Sequence, residues 1–199
     1  MTIKPPRTSP HDAIVKQLLK LIVPDPEREG LADTPFRVLQ AWQEWTEGYH
    51  VDTDALLKTF EDGAESYDEM VFVGAIPFYS TCEHHMAPFF GLAHVAYMPG
   101  NGRIVGLSKI PRLVDAFARR LTVQERITTQ IADTMNTVLR PRGVAVLMQA
   151  RHMCVESRGV AKPGTITTTS AVRGLFKTDA AVRSEFHSLV ALQKGMGNG

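Results

Sequence analysis

Ser80-Thr81-Cys82-Glu83-His84-His85-Met86-Ala87-Pro88-Phe89 lies between two runs with the texture of strands. Val71-Phe72-Val73-Gly74-Ala75-Ile76 leads into it, and Phe90 to Met98 follows it. A cysteine and a histidine at C-x-x-H spacing can grip one metal ion from a single tight turn. The chain has two cysteines, and the second is Cys154, in Ala150-Arg151-His152-Met153-Cys154. Cys82, His85 and Cys154 make three ligands; a closed structural site takes four, whereas a catalytic one keeps a position open. The cysteine count therefore points to a reactive zinc. A Cys82–Cys154 disulfide and two unrelated buried thiols are the competing readings, since short Cys/His motifs arise by chance.

Composition narrows the class. The chain has 199 residues, 44% hydrophobic and 22% charged, as expected of a globular domain with a real core. A net charge of +1 argues against a general nucleic-acid binder, so any positive site must be local. No apolar run reaches membrane-spanning length, and Met1-Thr2-Ile3-Lys4-Pro5-Pro6 lacks the apolar core of a signal peptide. The expected compartment is the cytoplasm, where a disulfide is disfavoured.

Outward from the cysteine stretch the pattern is mixed α and β. Residues 1–10, with three prolines, read as a flexible arm. Residues 11–69 form a helical N-terminal portion, 70–194 the catalytic domain and 195–199 a mobile tail. A first helix presents Ile14, Leu18, Leu21 and Ile22 on one face. Thr34 caps a second helix with Pro35 at its first position; Val38, Leu39, Trp42 and Trp45 are its apolar stripe and Gly48 its stop. Arg37 in that first turn is either solvated or faces an anion, because the helix dipole disfavours it there.

Pro99-Gly100-Asn101-Gly102 is a turn signal, predicting a hairpin between Phe90–Met98 and Arg103–Leu107. Ser108-Lys109-Ile110-Pro111-Arg112 opens a helix, with Ser108 as N-cap and two cations where anions are attracted. Thr122-Val123-Gln124-Glu125 reads as a capping box, which accounts for Glu125 without excluding a substrate role. The helix it starts turns Ile127, Ile131, Met135 and Val138 inward. In the strand that follows, Val146, Met148, Ala150, His152 and Cys154 share a face. That alternation puts His152 roughly 6–7 Å from Cys154. Ser157-Arg158-Gly159 adds a cation beyond it. Thr165 to Ser170 is another strand, and Asp179 caps a last helix with Val182, Phe186, Leu189 and Val190 inward.

These motifs together resemble the GTP cyclohydrolase I family. The matching stretches are Asp33-Thr34-Pro35-Phe36-Arg37-Val38, Ser80-Thr81-Cys82-Glu83-His84-His85 and Gly106-Leu107-Ser108-Lys109-Ile110-Pro111-Arg112. They continue with Val123-Gln124-Glu125-Arg126, His152-Met153-Cys154 with Arg158-Gly159, Thr167-Thr168-Thr169-Ser170 and Gly174-Leu175-Phe176-Lys177. They cover about residues 30 to 190 in the family's order. The resemblance implies an α+β tunnelling fold, an antiparallel sheet with two helices on one face, preceded by a helical portion. Subunit sheets in such proteins join into a barrel. A homodecamer of two pentamers, with active sites between subunits, is implied in the same way.

The implied reaction converts GTP and water to 7,8-dihydroneopterin triphosphate and formate, the first step of pterin and folate biosynthesis. By resemblance, Cys82, His85 and Cys154 hold the zinc ion, whose bound water opens the guanine ring at C8. His84 and His152 are the proton carriers, with Ser108 on the sugar-phosphate side. Gln124 and Glu125 anchor guanine; Arg37, Lys109, Arg112 and Arg158 hold the triphosphate. Two rivals stand beside this. A zinc nucleobase deaminase carries H-x-E and P-C-x-x-C, neither of which is present. A purine- or pterin-binding protein of the same fold, with a structural zinc and no activity, needs His84 or His152 as fourth ligand.

Overall fold

The computed structural model describes residues 9–60, 66–100 and 102–196. It falls into two compact units, residues 1–46 and 47–199. The outermost arm and tail positions, 1–8 and 197–199, lie outside the described residues. Among the described residues no helix is long and apolar enough to cross a membrane.

The first unit is a pair of packed helices, α1 (Asp12–Ile22) and α2 (Thr34–Trp45), joined through a 3₁₀ turn at Glu29–Leu31. The residues that α1 buries are Val15 and Leu19, while Ile14, Leu18, Leu21 and Ile22 are all more than half exposed. Periodicity found a stripe, but the packed stripe is the adjacent one. The N-cap of α2 is Asp33, one residue earlier than expected. Its carboxylate accepts from Arg37 Nη2 at 3.0 Å and caps no backbone N–H, so Arg37 is exposed and locally paired.

In the second unit, α3 (Thr53–Leu56) and β1 (Thr59–Phe60) precede the main sheet. The sheet then follows as β2 (Val71–Cys82), β3 (Pro88–Met98), β4 (Ile104–Val105), α4 (Lys109–Ala118), β5 (Leu121–Thr122) and α5 (Gln124–Leu139). It is completed by β6 (Gly143–His152), α6 (Met153–Glu156), β7 (Ile166–Gly174), α7 (Leu175–Thr178) and α8 (Ala180–Met196). Five strands pair in the order β5-β2-β3-β6-β7, antiparallel except for β2 with β5.

The expected hairpin between Phe90–Met98 and Arg103–Leu107 does not form. β4 pairs instead with β1, and β3 makes its hairpin with β2. The turn of that true hairpin is the cysteine stretch. Gly48 does not stop α2; it lies buried in a 3₁₀ turn where a Cβ would come 2.4 Å from the Ala116 carbonyl oxygen.

As expected, α4 and α5 cover one face of the sheet. Ile110, Leu113, Ile127, Ile131 and Met135 meet Phe78, Val95, Val146 and Met148 there, all fully buried. At the other end of the opposite face, Phe176, Phe186 and Val190 close over Ala96 and Leu147. The Asp179 cap of α8 is present, its Oδ1 accepting from Ala181 N at 2.8 Å.

Candidate metal and substrate site

The β2–β3 hairpin builds the first half of the site. Thr81 pairs with Pro88, and the six-residue turn is closed by Cys82 N–H donating to Ala87 O at 2.9 Å and Met86 N–H to Cys82 O at 2.8 Å. Met86 takes the left-handed conformation that so tight a turn demands (φ 52°). The turn swings His85 back, leaving its Nδ1 3.7 Å from Cys82 Sγ. A tetrahedral zinc with ordinary Zn–S and Zn–N bonds has an S···N edge of roughly 3.5 Å.

The second half comes from β6. Phe89 of β3 pairs with His152, the last residue of the strand. The chain then turns into α6, so Cys154 is carried by a helical turn rather than by the strand face. The expected alternation ends at His152. The outcome still favours a metal: the ligand atoms of Cys82, His85 and Cys154 lie within 4.8 Å of one another, and both cysteines are free. Burial, and then the adjacent Cys82, push the Cys154 thiol up, so two thiolates here call for a cation between them. Among the described residues no fourth His, Cys, Asp or Glu joins the group. Three ligands of the zinc-preferring type with one position unfilled fit a catalytic zinc.

Two ion pairs brace the ligand-bearing turns. Arg126 of α5 forks onto Glu83, with Nη2–Oε1 at 3.0 Å, and that interaction holds the Glu83 carboxyl below its usual range. Arg151 forks onto Glu156 at 2.9 and 2.6 Å, and Gly164 N–H donates to the same carboxylate at 3.1 Å. The sequence gives no sign of these two forks, because each arginine lies in a context where exposure is the ordinary reading.

Cys82, His84, His85, Gln124, Glu125, His152 and Cys154 line one cavity of about 230 Å³, with Phe89, Thr122, Val123, Val155 and Thr167. The His152 ring stacks on Phe89 at 4.6 Å, nearly parallel, and its Nε2 lies 2.8 Å from Gln124 Oε1. Burial lowers the pKa of His152; Glu125 and Glu156 oppose that. The expected capping box is absent. Thr122 is drawn into β5 beside Cys82, the N-cap is Val123, and Glu125 is exposed at the second position of α5. Its carboxylate makes no side-chain hydrogen bond or ion pair among the described residues, and so is available to a ligand.

Of the other expected contacts, Ser108, Lys109 and Arg112 are not among the residues that line this cavity. Val105 N–H donates to Tyr97 Oη at 3.2 Å, and Tyr97 pairs with Val71, at the end of β2 remote from Cys82. That is roughly 30 Å along the strand. Ser108 and Lys109 follow directly and start α4 at that remote end. Arg112 lines a separate cavity of about 250 Å³ with Glu47, Asp115 and Arg119. Arg158 follows α6 and is exposed, close enough for its charge to favour the Cys154 thiolate. Arg37 belongs to the first unit.

Comparison with known proteins gives a consistent answer. The family model for GTP cyclohydrolase I matches residues 11–191. GTP cyclohydrolase 1 of Mycolicibacterium paratuberculosis is 56% identical over 180 residues, 90% of this chain and 87% of that protein. The protein of the same name from Nitrosospira multiformis is 55% identical over 174 residues, 87% of this chain and 91% of that one. Among solved structures, the archaeosine synthase QueF-Like in the apo form matches 53% of this chain and 93% of its own, at a TM-score of 0.44 and 15% identity. The family match runs through every segment that builds the cavity: the chain belongs to the GTP cyclohydrolase I family.

Proposed function

We propose that the chain converts GTP and water to 7,8-dihydroneopterin triphosphate and formate, with zinc bound by Cys82, His85 and Cys154. One observation carries this reading within the family: the three-ligand cluster shares its cavity with two further histidines and with the Glu125 carboxylate, which makes no side-chain hydrogen bond or ion pair among the described residues. Bound zinc supplies a Lewis acid that brings water to its attacking form near neutral pH.

The protein's own groups do the rest. Glu125 accepts hydrogen bonds from guanine N1–H and the exocyclic amine, a donor pair that adenine lacks. His152 moves protons at the imidazole ring of the base as it opens, and His84, exposed at the rim, serves the later steps. Phe89 holds the plane of His152. Arg158 approaches from the α6 side as a triphosphate ligand, together with Arg37, Lys109 and Arg112, and Ser108 contacts the sugar-phosphate.

Ser108 and Lys109 stand at the opposite end of the sheet from Cys82 in the same chain. This supports a site completed by a neighbouring subunit; the barrel of joined sheets and the homodecamer of two pentamers rest on the resemblance. The reading of a purely structural zinc needs His84 or His152 in the cluster, and among the described residues neither joins it.

GTP labelled at C8 tests the reaction. Label should leave as formate while a fluorescent pterin accumulates, and C8-labelled ATP should release none. Retention of label in GTP with zinc bound would refute the proposal.

A further inference from the structure

Gln124 is the first residue of α5 and is fully buried. Its Nε2 lies 3.0 Å from the Met148 carbonyl oxygen, 3.1 Å from that of Thr167 and 3.0 Å from Thr169 Oγ1. Carbonyl oxygens only accept, so this atom is the amide NH₂ and the other is the oxygen. That oxygen is 2.8 Å from His152 Nε2, which must therefore carry a hydrogen. Flipping the amide would set its oxygen against two carbonyls.

The hydroxyls behind it lock the arrangement. Thr128 Oγ1 donates to the Gln124 carbonyl at 2.8 Å, which uses its only hydrogen. The 2.7 Å contact between Thr169 Oγ1 and Thr128 Oγ1 is then made by the Thr169 hydrogen, leaving Thr169 Oγ1 to accept from Gln124 Nε2. Each donor in the chain Thr128, Thr169, Gln124, His152 has a defined direction.

We propose that Gln124 is a positioning residue for His152: it fixes Nε2 as the hydrogen-bearing nitrogen and holds the orientation of the ring. The inference rests on the reading of His152 as a proton carrier. Phe89 fixes the ring plane and Gln124 its rotation within that plane. The two hydrogens of the Gln124 amide are shared among three acceptors and its oxygen is taken by His152, so it is not the group that reads guanine. Base recognition falls to Glu125.

Gln124→Met keeps the length of the side chain and removes the amide. It is expected to lower kcat on GTP by about tenfold or more, part of the 10²–10⁴ that a placed acid–base group contributes. KM for GTP and the zinc content should stay at wild-type values. Thr169→Val, which unlatches the amide from behind, should lower kcat by a smaller factor, again without changing KM. With ¹⁵N confined to histidine, the His152 resonances, assigned by their absence in His152→Ala, should report hydrogen on Nε2 in the wild type. A mixture with the Nδ1–H form is expected in Gln124→Met. A raised KM with unchanged kcat in Gln124→Met would put the amide on guanine and overturn the proposal. So would unchanged kinetics, or a wild-type His152 with its hydrogen on Nδ1. Should Gln124→Met fail to fold, Thr169→Val and the wild-type spectrum decide. His152→Ala separates the two levels: full activity there sinks the proton-carrier reading itself. An inactive His152→Ala beside a fully active Gln124→Met sinks only the role of Gln124.

Discussion

Glu125→Gln isolates base recognition from folding. Glu125 is exposed, caps nothing and makes no side-chain hydrogen bond or ion pair among the described residues; besides its charge near His152, its intramolecular stake is the positive end of α5. That interaction is worth about 0.3–1 kcal/mol, and the melting temperature should fall by no more than a few degrees. The substrate effect is larger. The carboxylate offers guanine two charge-assisted acceptors at about 1.5–3 kcal/mol each, against about 0.5–1.5 kcal/mol for a neutral bond. In glutamine one oxygen still accepts, while the NH₂ confronts a guanine donor. The combined loss is about 3–4 kcal/mol, or roughly two to three orders of magnitude in kcat/KM. Continuous pterin fluorescence with GTP and inosine triphosphate measures it. Inosine triphosphate lacks the exocyclic amine, so the variant should narrow the gap between the two substrates. A kcat/KM for GTP within about threefold of wild type, less than 1 kcal/mol, would refute the assignment.

Cys154→Ser should lose zinc and turnover together, because two remaining ligands hold the ion poorly; one zinc per chain in an active variant would contradict the ligand set. His152→Ala should keep its zinc and lose about 10²–10⁴ in kcat; zinc loss measured by metal analysis would make His152 a ligand. Glu156→Gln tests the brace beside Cys154. Arg151 holds the Glu156 carboxyl below its usual range, so the stability it contributes is present above the unfolded carboxylate value and is lost as pH falls through the lowered folded one. Wild type should therefore be the more stable at neutral pH, and the two proteins should converge on acidification; parallel stability curves would rule that brace out.

The cluster of Cys82, His85 and Cys154 was legible because a C-x-x-H pair in a turn is a local geometric fact, needing only the second cysteine to complete it. The surroundings depended on pairings that the local pattern does not encode. Thr122 and Glu125 have the spacing of a capping box, yet Thr122 serves the sheet beside Cys82, and tertiary pairing overrides the cap. Arg103–Leu107 looked like the return strand of a hairpin; Val105 instead pairs with Thr59, far back in the chain. On α1 two apolar stripes lie side by side, and the periodicity reading takes the exposed one rather than that of Val15 and Leu19. The hydrogen bonds of Gln124 were not legible, because its partners Met148, Thr167 and Thr169 come from strands that only the fold brings together. Lys109 and Arg112 are cations at the start of a helix, which is legible, whereas the placement of Lys109 at the far end of the sheet from Cys82 within one chain was not.

The central claim is that Cys82, His85 and Cys154 hold one catalytic zinc at which GTP is opened. Titrating zinc into chelator-stripped protein, with formate release from GTP read at every addition, tests it most directly. Activity should start near zero, rise linearly and break at one zinc per chain. Full activity before any zinc is added, or a protein that takes up one zinc per chain and leaves GTP intact, would contradict it.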